Sequence, residues 1–351
     1  LNALSGNFFY AGSITNIAGR AVEVSNSGGT PANSIEFSGA IDENGTGILL
    51  DNNDQNSGAT VTFRGGLLLD TGAGTAFAAT NGGTVNVCAT SDCAAGAAVV
   101  NAIGATTALT KTAVNINATS IGANGISFRS IDVDQGVSAG DTSAIMLTGT
   151  GSGSFNVTGD GATAGSGGGI RNITDVDAIR LSNTGGRVSL NFMTIEDIAS
   201  SGDATDAIQT LSGVDAIHGE NVNGGLTLNN SILRRFSDMA VNGSTLAGNA
   251  VTNFNGLEIR SCILEDANRF HLANVGDDNS EGIVRIQGLT GNLTVTDSLF
   301  QDGARGLDIF TPSSPGTLDA TIQGNQFLNL YKEFASGGTR NVGVRGLSVQ
   351  F

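Results

Sequence analysis

The chain repeats a short arrangement of apolar and polar residues. In residues 225–233 two leucines flank one threonine, a polar Asn-Asn-Ser break follows, and an apolar Ile-Leu pair comes next. The arrangement returns at residues 186–195, 256–264 and 293–300. Alternation with a period of two is typical of a strand with one buried face, and Gly, Asn, Ser and Asp favour turns between strands. The pattern therefore predicts short β-strands joined by tight turns.

The arrangement recurs along nearly the whole chain. In each unit a second apolar residue follows the first after two positions. The units can be aligned by the first apolar residue of each strand: Ile35, Val61, Val85, Val114, Phe155, Val188, Leu226, Leu257, Leu293, Ala320 and Leu347. The average step is about 31 residues, a period that indicates a solenoid or an array of repeated units. Further strand candidates accompany these units: Asp177–Arg180, Asp215–His218, Gly282–Arg285, Met239–Val241, Phe270–Leu272 and Gly306–Ile309.

Two or three short strands per repeat favour a parallel β-helix, an all-β fold. One coil cannot bury its apolar side alone, whereas stacked coils share an interior column. A propeller blade needs four antiparallel strands and about 40 residues or more, and leucine-rich repeats need a consensus that this chain lacks. We therefore predict one β-helix domain of roughly eleven coils over residues 1–351, with residues 1–34 as a less regular N-terminal coil or cap.

The run Thr227-Leu228-Asn229-Asn230-Ser231-Ile232 resembles the Gly-, Asn- and Thr-rich strands of right-handed, pectin-lyase-like parallel β-helices. It is most similar to strand-repeat proteins of bacterial surfaces, autotransporter passengers and giant adhesins. The resemblance implies an extracellular or cell-surface location and a structural or adhesive role, as a stalk, adhesin or filament building block. The implied partners are other cells, surface glycans or copies of the chain itself. Pectate-lyase-like enzymes share the scaffold, so the fold alone does not define an activity.

Composition agrees with a folded, acidic β protein. The chain has 52 Gly, 3 Pro, 14% charged residues and a formal net charge of −16. The negative charge argues against a nucleic-acid partner, because phosphates demand Lys and Arg. Nothing in the sequence resembles a signal peptide or a membrane span. The chain opens on Leu1 and closes on a strand unit ending at Phe351, so we expect it to continue in a longer protein or to meet another chain.

Side chains between the apolar pairs are predicted to face outward as a polar ladder. Its members are short and nearly uncharged: Thr62, Asn86, Asn115, Asn156, Ser189, Thr227, Glu258, Thr294 and Thr321. The two acids in the extended row, Glu36 and Glu258, lie seven coils apart in the alignment, too far for paired-carboxylate glycoside hydrolysis. The row therefore predicts a neutral exterior without a place for acid–base chemistry.

No catalytic residue is predicted on this basis. The alternative is a polysaccharide lyase, hydrolase or tailspike-like depolymerase, for which Asp277, Asp278, Arg260 and Arg285 are the best neighbourhood. Neither histidine, His218 or His271, lies in a nucleophile motif, so both are expected to be packed or surface residues.

Cysteines and acidic turns supply the remaining candidates. Cys88 and Cys93 are close enough for a small disulfide loop, which would imply an oxidising compartment.

Calcium is the one cofactor that the sequence suggests, because calcium prefers clustered oxygen ligands. The acidic turns that could supply those oxygens contain Asp51, Asp54, Asp132 and Asp134. Solvated turns are the simpler explanation of the same residues.

Overall fold

The computed structural model describes residues 1–72, 74–136, 141–199, 214–245, 251–267, 282–303, 305–312, 317–330 and 346–350. Within these residues the regular structure is all strand and contains no helix. No helix of the described part is therefore long and apolar enough to cross a membrane.

The chain divides into two compact units. Unit 1 comprises Leu1–Asp134, Ala144–Gly169 and Ser182–Met193, and unit 2 comprises Gln135–Ser143, Ile170–Leu181 and Thr194–Phe351.

Unit 1 contains three ladders of parallel strands, numbered here in chain order. The first ladder contains β1 (Phe8–Tyr10), β4 (Asn33–Phe37), β7 (Ala59–Phe63), β10 (Thr84–Val87), β13 (Ser120–Phe128), β17 (Phe155–Val157) and β20 (Val188–Asn191). The second contains β3 (Val22–Ser25), β6 (Ile48–Asp51), β9 (Phe77–Thr80), β12 (Val114–Asn117) and β16 (Ile145–Gly151). The third contains β2 (Ile14–Asn16), β5 (Ile41–Glu43), β8 (Leu67–Leu69), β11 (Asn101–Ile103) and β14 (Ser130–Ile131). The short β15 (Val133–Asp134) is bridged in parallel to Leu109.

Unit 2 repeats this plan. Its first ladder contains β23 (Leu226–Asn229), β26 (Phe254–Arg260), β29 (Leu289–Thr296) and β32 (Leu318–Gln323). Its second contains β19 (Ile179–Thr184, in this unit as far as Leu181), β22 (Ile217–Val222), β25 (Val241–Gly243), β28 (Val284–Gln287), β31 (Leu307–Phe310) and β34 (Leu347–Gln350). Its third contains β18 (Gly169–Thr174, in this unit from Ile170), β21 (Thr194–Ala199), β24 (Ile232–Phe236), β27 (Ile263–Glu265), β30 (Leu299–Gln301) and β33 (Gln326–Leu328).

The prediction of an all-β chain built from parallel strands is confirmed for the described residues. Strands β1–β14, β16, β17 and β20–β34 pair in parallel in these ladders, unlike the antiparallel strands of propeller blades. These ladders are consistent with a parallel β-helix. Residues 1–34 contain β1, β2 and β3, and each of these strands pairs in parallel with a later strand.

Alternating side chains fill the interior of each unit. In unit 2, Leu226, Leu257 and Leu293 are in register and fully buried. In unit 1, Phe37 and Phe63 are stacked with ring centroids 5.3 Å apart. Burying one such side chain stabilises the fold by about 1.5–3 kcal/mol. The predicted inward columns are therefore the main source of cohesion within each unit.

The alignment of the repeats is wrong at two positions. Val114 lies in the second ladder of unit 1, between β9 and β16. The first-ladder residue that precedes Phe155 is Ile126. Leu347 likewise pairs with Leu307 in the second ladder of unit 2. Both errors arise because the ladders share the same apolar–polar–apolar pattern, so spacing alone does not identify the face.

Sharp corners follow the strands of the first ladder in unit 2. The first corner residue has a positive φ of about 50–70°, a conformation that favours Asn, Asp and Gly: Asn230, Ser261, Asp297 and Gly324. In the first three corners the next residue is small and buried: Ser231, Cys262 and Ser298. Cys262 occupies this position between Ser231 and Ser298. The amide of Ile263 donates to the carbonyl of Ser231, and the amide of Cys262 donates to the hydroxyl of Ser298. The register of the third ladder thus places Cys262 at the same corner position as both serines.

Candidate functional site

A row of polar and charged side chains follows the second ladder of unit 2. His218, Asn242, Arg285, Asp308 and Ser348 are paired in register on successive strands from β22 to β34. From β22 to β31 the flanking apolar residues of these strands are buried, so period-two alternation turns the polar row away from the interior. This row, unlike the predicted neutral ladder, contains three ionisable groups.

Two short segments with the same sequence pattern build its most unusual part. Asp177–Arg180 and Asp215–His218 both begin with Asp-Ala-Ile, and their Ala and Ile residues are fully buried. The amide of Ala178 donates to the carbonyl of Asp215, and that of Ile179 donates to the carbonyl of Ala216. Stacking the buried pairs in this way places the two aspartates next to each other on adjacent rungs.

Asp177, Asp215 and His218 converge on one point, and we refer to them as the Asp–His cluster. Nδ1 of His218 lies 3.3 Å from Oδ2 of Asp177 and 3.4 Å from Oδ2 of Asp215. The other oxygen of each carboxylate is fixed by a backbone amide of the next rung. Asp215 N donates to Oδ1 of Asp177 over 3.1 Å, and Met239 N donates to Oδ1 of Asp215 over 3.1 Å. The two Oδ2 atoms are therefore aimed at the same imidazole nitrogen.

Neighbouring polar groups hold the cluster in place. Nε2 of His218 lies 3.2 Å from Oγ of the buried Ser244. Nδ2 of Asn242 donates to Oδ2 of Asp215 over 2.9 Å. Nε of Arg180 lies 3.6 Å from Oδ2 of Asp177. Both ring nitrogens and all four carboxylate oxygens therefore have short polar contacts with neighbouring groups.

Burial changes the protonation of the cluster. Desolvation, and after it the charge of Asp177, raises the pKa of the Asp215 carboxyl well above its usual range. Desolvation alone would lower the pKa of His218, but the hydrogen bond to Asp177 and the charges of both aspartates outweigh it and raise that pKa. The side chains of Asp177 and His218 are 14% and 12% exposed, whereas Asp215 is 2% exposed. Asp215 is thus the inner member, and Asp177 and His218 face the surface.

Further along the row the charges are paired with their neighbours. Nη1 of Arg305 donates to Oδ2 of the buried Asp308 over 3.0 Å. The guanidinium of Arg285 lies 5.5 Å from the ring centroid of Phe310, within the range of a cation–π contact. The row therefore places Arg285 and Asp308 on the same ladder as His218, and Arg305 contacts Asp308 from the turn before β31.

The structure does not assemble the predicted catalytic neighbourhood. Arg260 lies in the first ladder of unit 2, paired with Asn229 and Thr296, whereas Arg285 lies in the second ladder. Asp277 and Asp278 lie outside the described residues, as does His271. The two arginines accordingly occupy different polar rows.

The predicted polar ladder divides in the same way. Asn156 pairs with Ser189 in unit 1, and in unit 2 Thr227, Glu258, Thr294 and Thr321 form one in-register row. Thr62 and Asn86 are paired but buried, at 6% and 3% exposure. Asn115 belongs to the second ladder, where it pairs with Ala78 and Met146. The first-ladder residue opposite Asn156 is instead Ser127.

The calcium candidates are engaged in local contacts. Oδ1 of Asp51 accepts from Thr80 and Asn81, and Oδ1 of Asp132 accepts from the amide of Gly169. Asp54 lines a shallow depression of about 400 Å³, and Asp134 ends β15. Among the described residues, the only group of three His, Cys, Asp or Glu side chains close enough to share an ion is the Asp–His cluster. Calcium at the four aspartates remains a prediction.

Cys88 and Cys93 are joined by a disulfide. Inside the loop, the amides of Ala94 and Ala95 donate to Oδ1 of Asp92. The loop therefore has polar contacts of its own in addition to the covalent link.

Sequence reasoning found the strands of the Asp–His cluster but not its chemistry. The signal was the repeated Asp-Ala-Ile motif at a spacing of 38 residues, the same spacing as between Val188 and Leu226. Equal spacing places the two aspartates in register, and a histidine follows the second of them.

Comparisons with known protein families, sequences and structures found no match to this chain. No protein-family model matches this chain, and searches of the curated proteins and of the solved structures give no significant match. The fold and the site therefore define the protein only as an all-β chain of parallel ladders, consistent with a parallel β-helix.

Proposed function

We propose that this chain is a non-catalytic structural or adhesive segment of a bacterial surface protein, folded as a right-handed β-helix of about eleven coils. The observation that carries the proposal is the polar row of Thr227, Glu258, Thr294 and Thr321, paired in register on the first ladder of unit 2. Short polar side chains repeated about every 4.8 Å present a regular, nearly neutral strip of hydrogen-bonding groups. Such a strip suits a glycan chain or a second ladder.

Two further properties support an extracellular setting. A disulfide between Cys88 and Cys93 is typical of an oxidising compartment. A net charge of −16 disfavours nucleic acid and keeps a long protein soluble outside the cell.

Adhesion and self-association assays test this function. Purified wild-type chain is expected to bind bacterial cells or a subset of arrayed glycans, or to self-associate in sedimentation velocity. Thr294→Arg adds a bulky charge to the centre of the polar row and should weaken that binding at least tenfold without lowering the melting temperature. Gln326→Arg, an exposed position on the third ladder, adds the same charge elsewhere and should leave binding unchanged. A wild-type chain that neither binds nor self-associates refutes the proposal.

The Asp–His cluster supports a second candidate, a polysaccharide lyase or hydrolase. His218 would act as the general base, buried Asp215 would orient it, and Arg180 and Arg285 would bind an acidic sugar. The test is product release from a panel of acidic and neutral polysaccharides. His218→Asn should abolish release and Thr294→Arg should not. Release that survives His218→Asn but is lost in Asp277→Asn would favour the other predicted neighbourhood.

A further inference from the structure

We propose that the Asp–His cluster is a binding site for one divalent transition-metal ion of the zinc class, held by Asp177, Asp215 and His218. This inference does not depend on the proposed function, because a structural segment and an enzyme could both carry such a site. It rests on the geometry of the three side chains and on a buried amide oxygen beside them.

The spacing of the donor atoms fits a small ion. Zinc binds imidazole nitrogen at about 2.0–2.1 Å and carboxylate oxygen at about 2.0–2.2 Å, so the edge of its coordination tetrahedron is about 3.4 Å. Nδ1 of His218 lies 3.3 Å from one Oδ2 atom and 3.4 Å from the other. All three donor atoms lie within 4.8 Å of one another. Two edges thus already have the required length, and the third needs at most a modest contraction.

A single proton on Nδ1 of His218 cannot satisfy both carboxylate oxygens that face it. Nδ1 carries at most one hydrogen, whereas two carboxylate oxygens are directed at it. The contact with Ser244 allows Nε2 to carry the proton and donate it to the hydroxyl. That tautomer leaves the Nδ1 lone pair facing both carboxylates, which is the orientation a metal ligand needs. An ion at their common focus would bond to all three groups.

The carboxylates are fixed before any ligand arrives. Their Oδ1 atoms accept from the backbone amides of Asp215 and Met239, so their Oδ2 atoms are held in place by the ladder itself. Sites whose ligands are oriented by neighbouring hydrogen bonds bind metal more tightly than sites with free side chains.

An independent observation comes from Asn242. This residue is 2% exposed, and its Oδ1 is buried without a hydrogen-bond partner among the described residues. The Nδ2 of the same amide donates to Oδ2 of Asp215. Rotating the amide by 180° exchanges its oxygen and nitrogen at little steric cost, because the two ends have nearly the same shape. Oδ1 would then face the cluster as a fourth donor, and Nδ2 would take the buried position that Oδ1 occupies in this structure.

The donor set determines the class of ion. One imidazole nitrogen with carboxylate and amide oxygens suits Zn²⁺, Co²⁺ or Mn²⁺, whereas Ca²⁺ takes six to eight oxygen ligands. Arg180 lies 3.6 Å from Asp177 and offsets part of the negative charge. That cation disfavours an ion held by charge alone and favours one held by short directional bonds.

The test titrates the full 351-residue chain, first freed of metal by a chelator, with ZnCl₂, CoCl₂, MnCl₂ and CaCl₂ in a calorimeter. We expect one Zn²⁺ or Co²⁺ ion per chain, with Ca²⁺ at least a hundredfold weaker. Bound Co²⁺ should show the visible absorption bands of a low-symmetry N/O site. Zn²⁺ should also shift the His218 imidazole signals in an NMR spectrum of the wild-type protein, a readout that requires no variant.

Variants then locate the ion. His218→Ala and Asp177→Asn should each weaken Zn²⁺ binding at least tenfold, and Asn242→Ala should weaken it about 10–100-fold. Asn242→Asp should restore binding, because it keeps an oxygen at that position. His271→Ala, which alters the other histidine of the chain, and Glu258→Gln, on the neighbouring polar row, should leave affinity unchanged. Failure of the folded wild-type protein to bind Zn²⁺ or Co²⁺ overturns the proposal. Binding that survives His218→Ala, or a preference for Ca²⁺, overturns it as well.

Discussion

The buried phenylalanines of unit 1 provide the sharpest test of the interior column. Phe63 is 1% exposed, and its ring centroid lies 5.3 Å from that of Phe37 and 5.9 Å from that of Phe77. Removing a buried phenyl ring costs about 3–5 kcal/mol, because the cavity left behind adds to the lost burial. Each aromatic contact contributes about 0.5–1.5 kcal/mol of that total. Phe63→Ala should therefore lower stability by about 3–5 kcal/mol, and Phe63→Leu by about 1–3 kcal/mol.

Urea unfolding followed by far-UV circular dichroism measures this effect. With an m-value of about 3 kcal/mol per M, the Phe63→Ala midpoint should fall by about 1–2 M. Phe9→Ala is the matched control, because Phe9 lies in the same ladder but is 64% exposed. Its effect should stay within about 0.5 kcal/mol. If Phe63→Ala costs less than about 1 kcal/mol with an unchanged m-value, the rings do not form a packed column and the reasoning is refuted.

Three further predictions concern individual groups. Burial raises the pKa of the Cys262 thiol to about 11, so a thiol reagent at pH 8 should label it only after unfolding, and rapid labelling of the native protein would contradict its burial. Arg235 donates two hydrogen bonds to Asp197 and a third to Glu196, so Arg235→Met should cost about 1 kcal/mol in urea unfolding, and the loss should shrink in 1 M NaCl. Hydrogen bonds from the amides of Thr163 and Ala162 lower the pKa of Asp160; its stabilising contribution is therefore present above the unfolded pKa and is lost only as the pH falls through the lower native value. A carboxyl carbon titration by NMR should find it still ionised at pH 3, and a midpoint near 4 would be inconsistent with those bonds.

Much of the architecture could be predicted from the sequence. The columns of Leu226, Leu257 and Leu293 and the buried Phe63 follow from period-two alternation, because only an inward side chain must be apolar. The assignment of each strand to a ladder could not be predicted in the same way. Val114 and Leu347 satisfy the same pattern as the residues with which they were aligned, yet they lie on another face. Local alternation records which side of a strand is buried and not which of the three ladders it joins.

The candidate site was hidden for a related reason. Asp177 and Asp215 precede buried apolar pairs, and in sequence each looks like an ordinary acidic turn residue. Their convergence with His218 depends on the register of β19 and β22 and on the direction of two backbone amides. Those contacts join residues 24 and 38 positions apart, so no single stretch of sequence contains the site.

The amides of Asp215 and Met239 each donate to a carboxylate of the preceding rung rather than to a carbonyl. These two protons can exchange with deuterated solvent only when the rungs separate at this point. Their exchange rates therefore measure, at single-residue resolution, how often the ladder opens beside the histidine. Any molecule that binds only when the ladder is closed would slow both exchange rates together, even if it produced no other detectable signal.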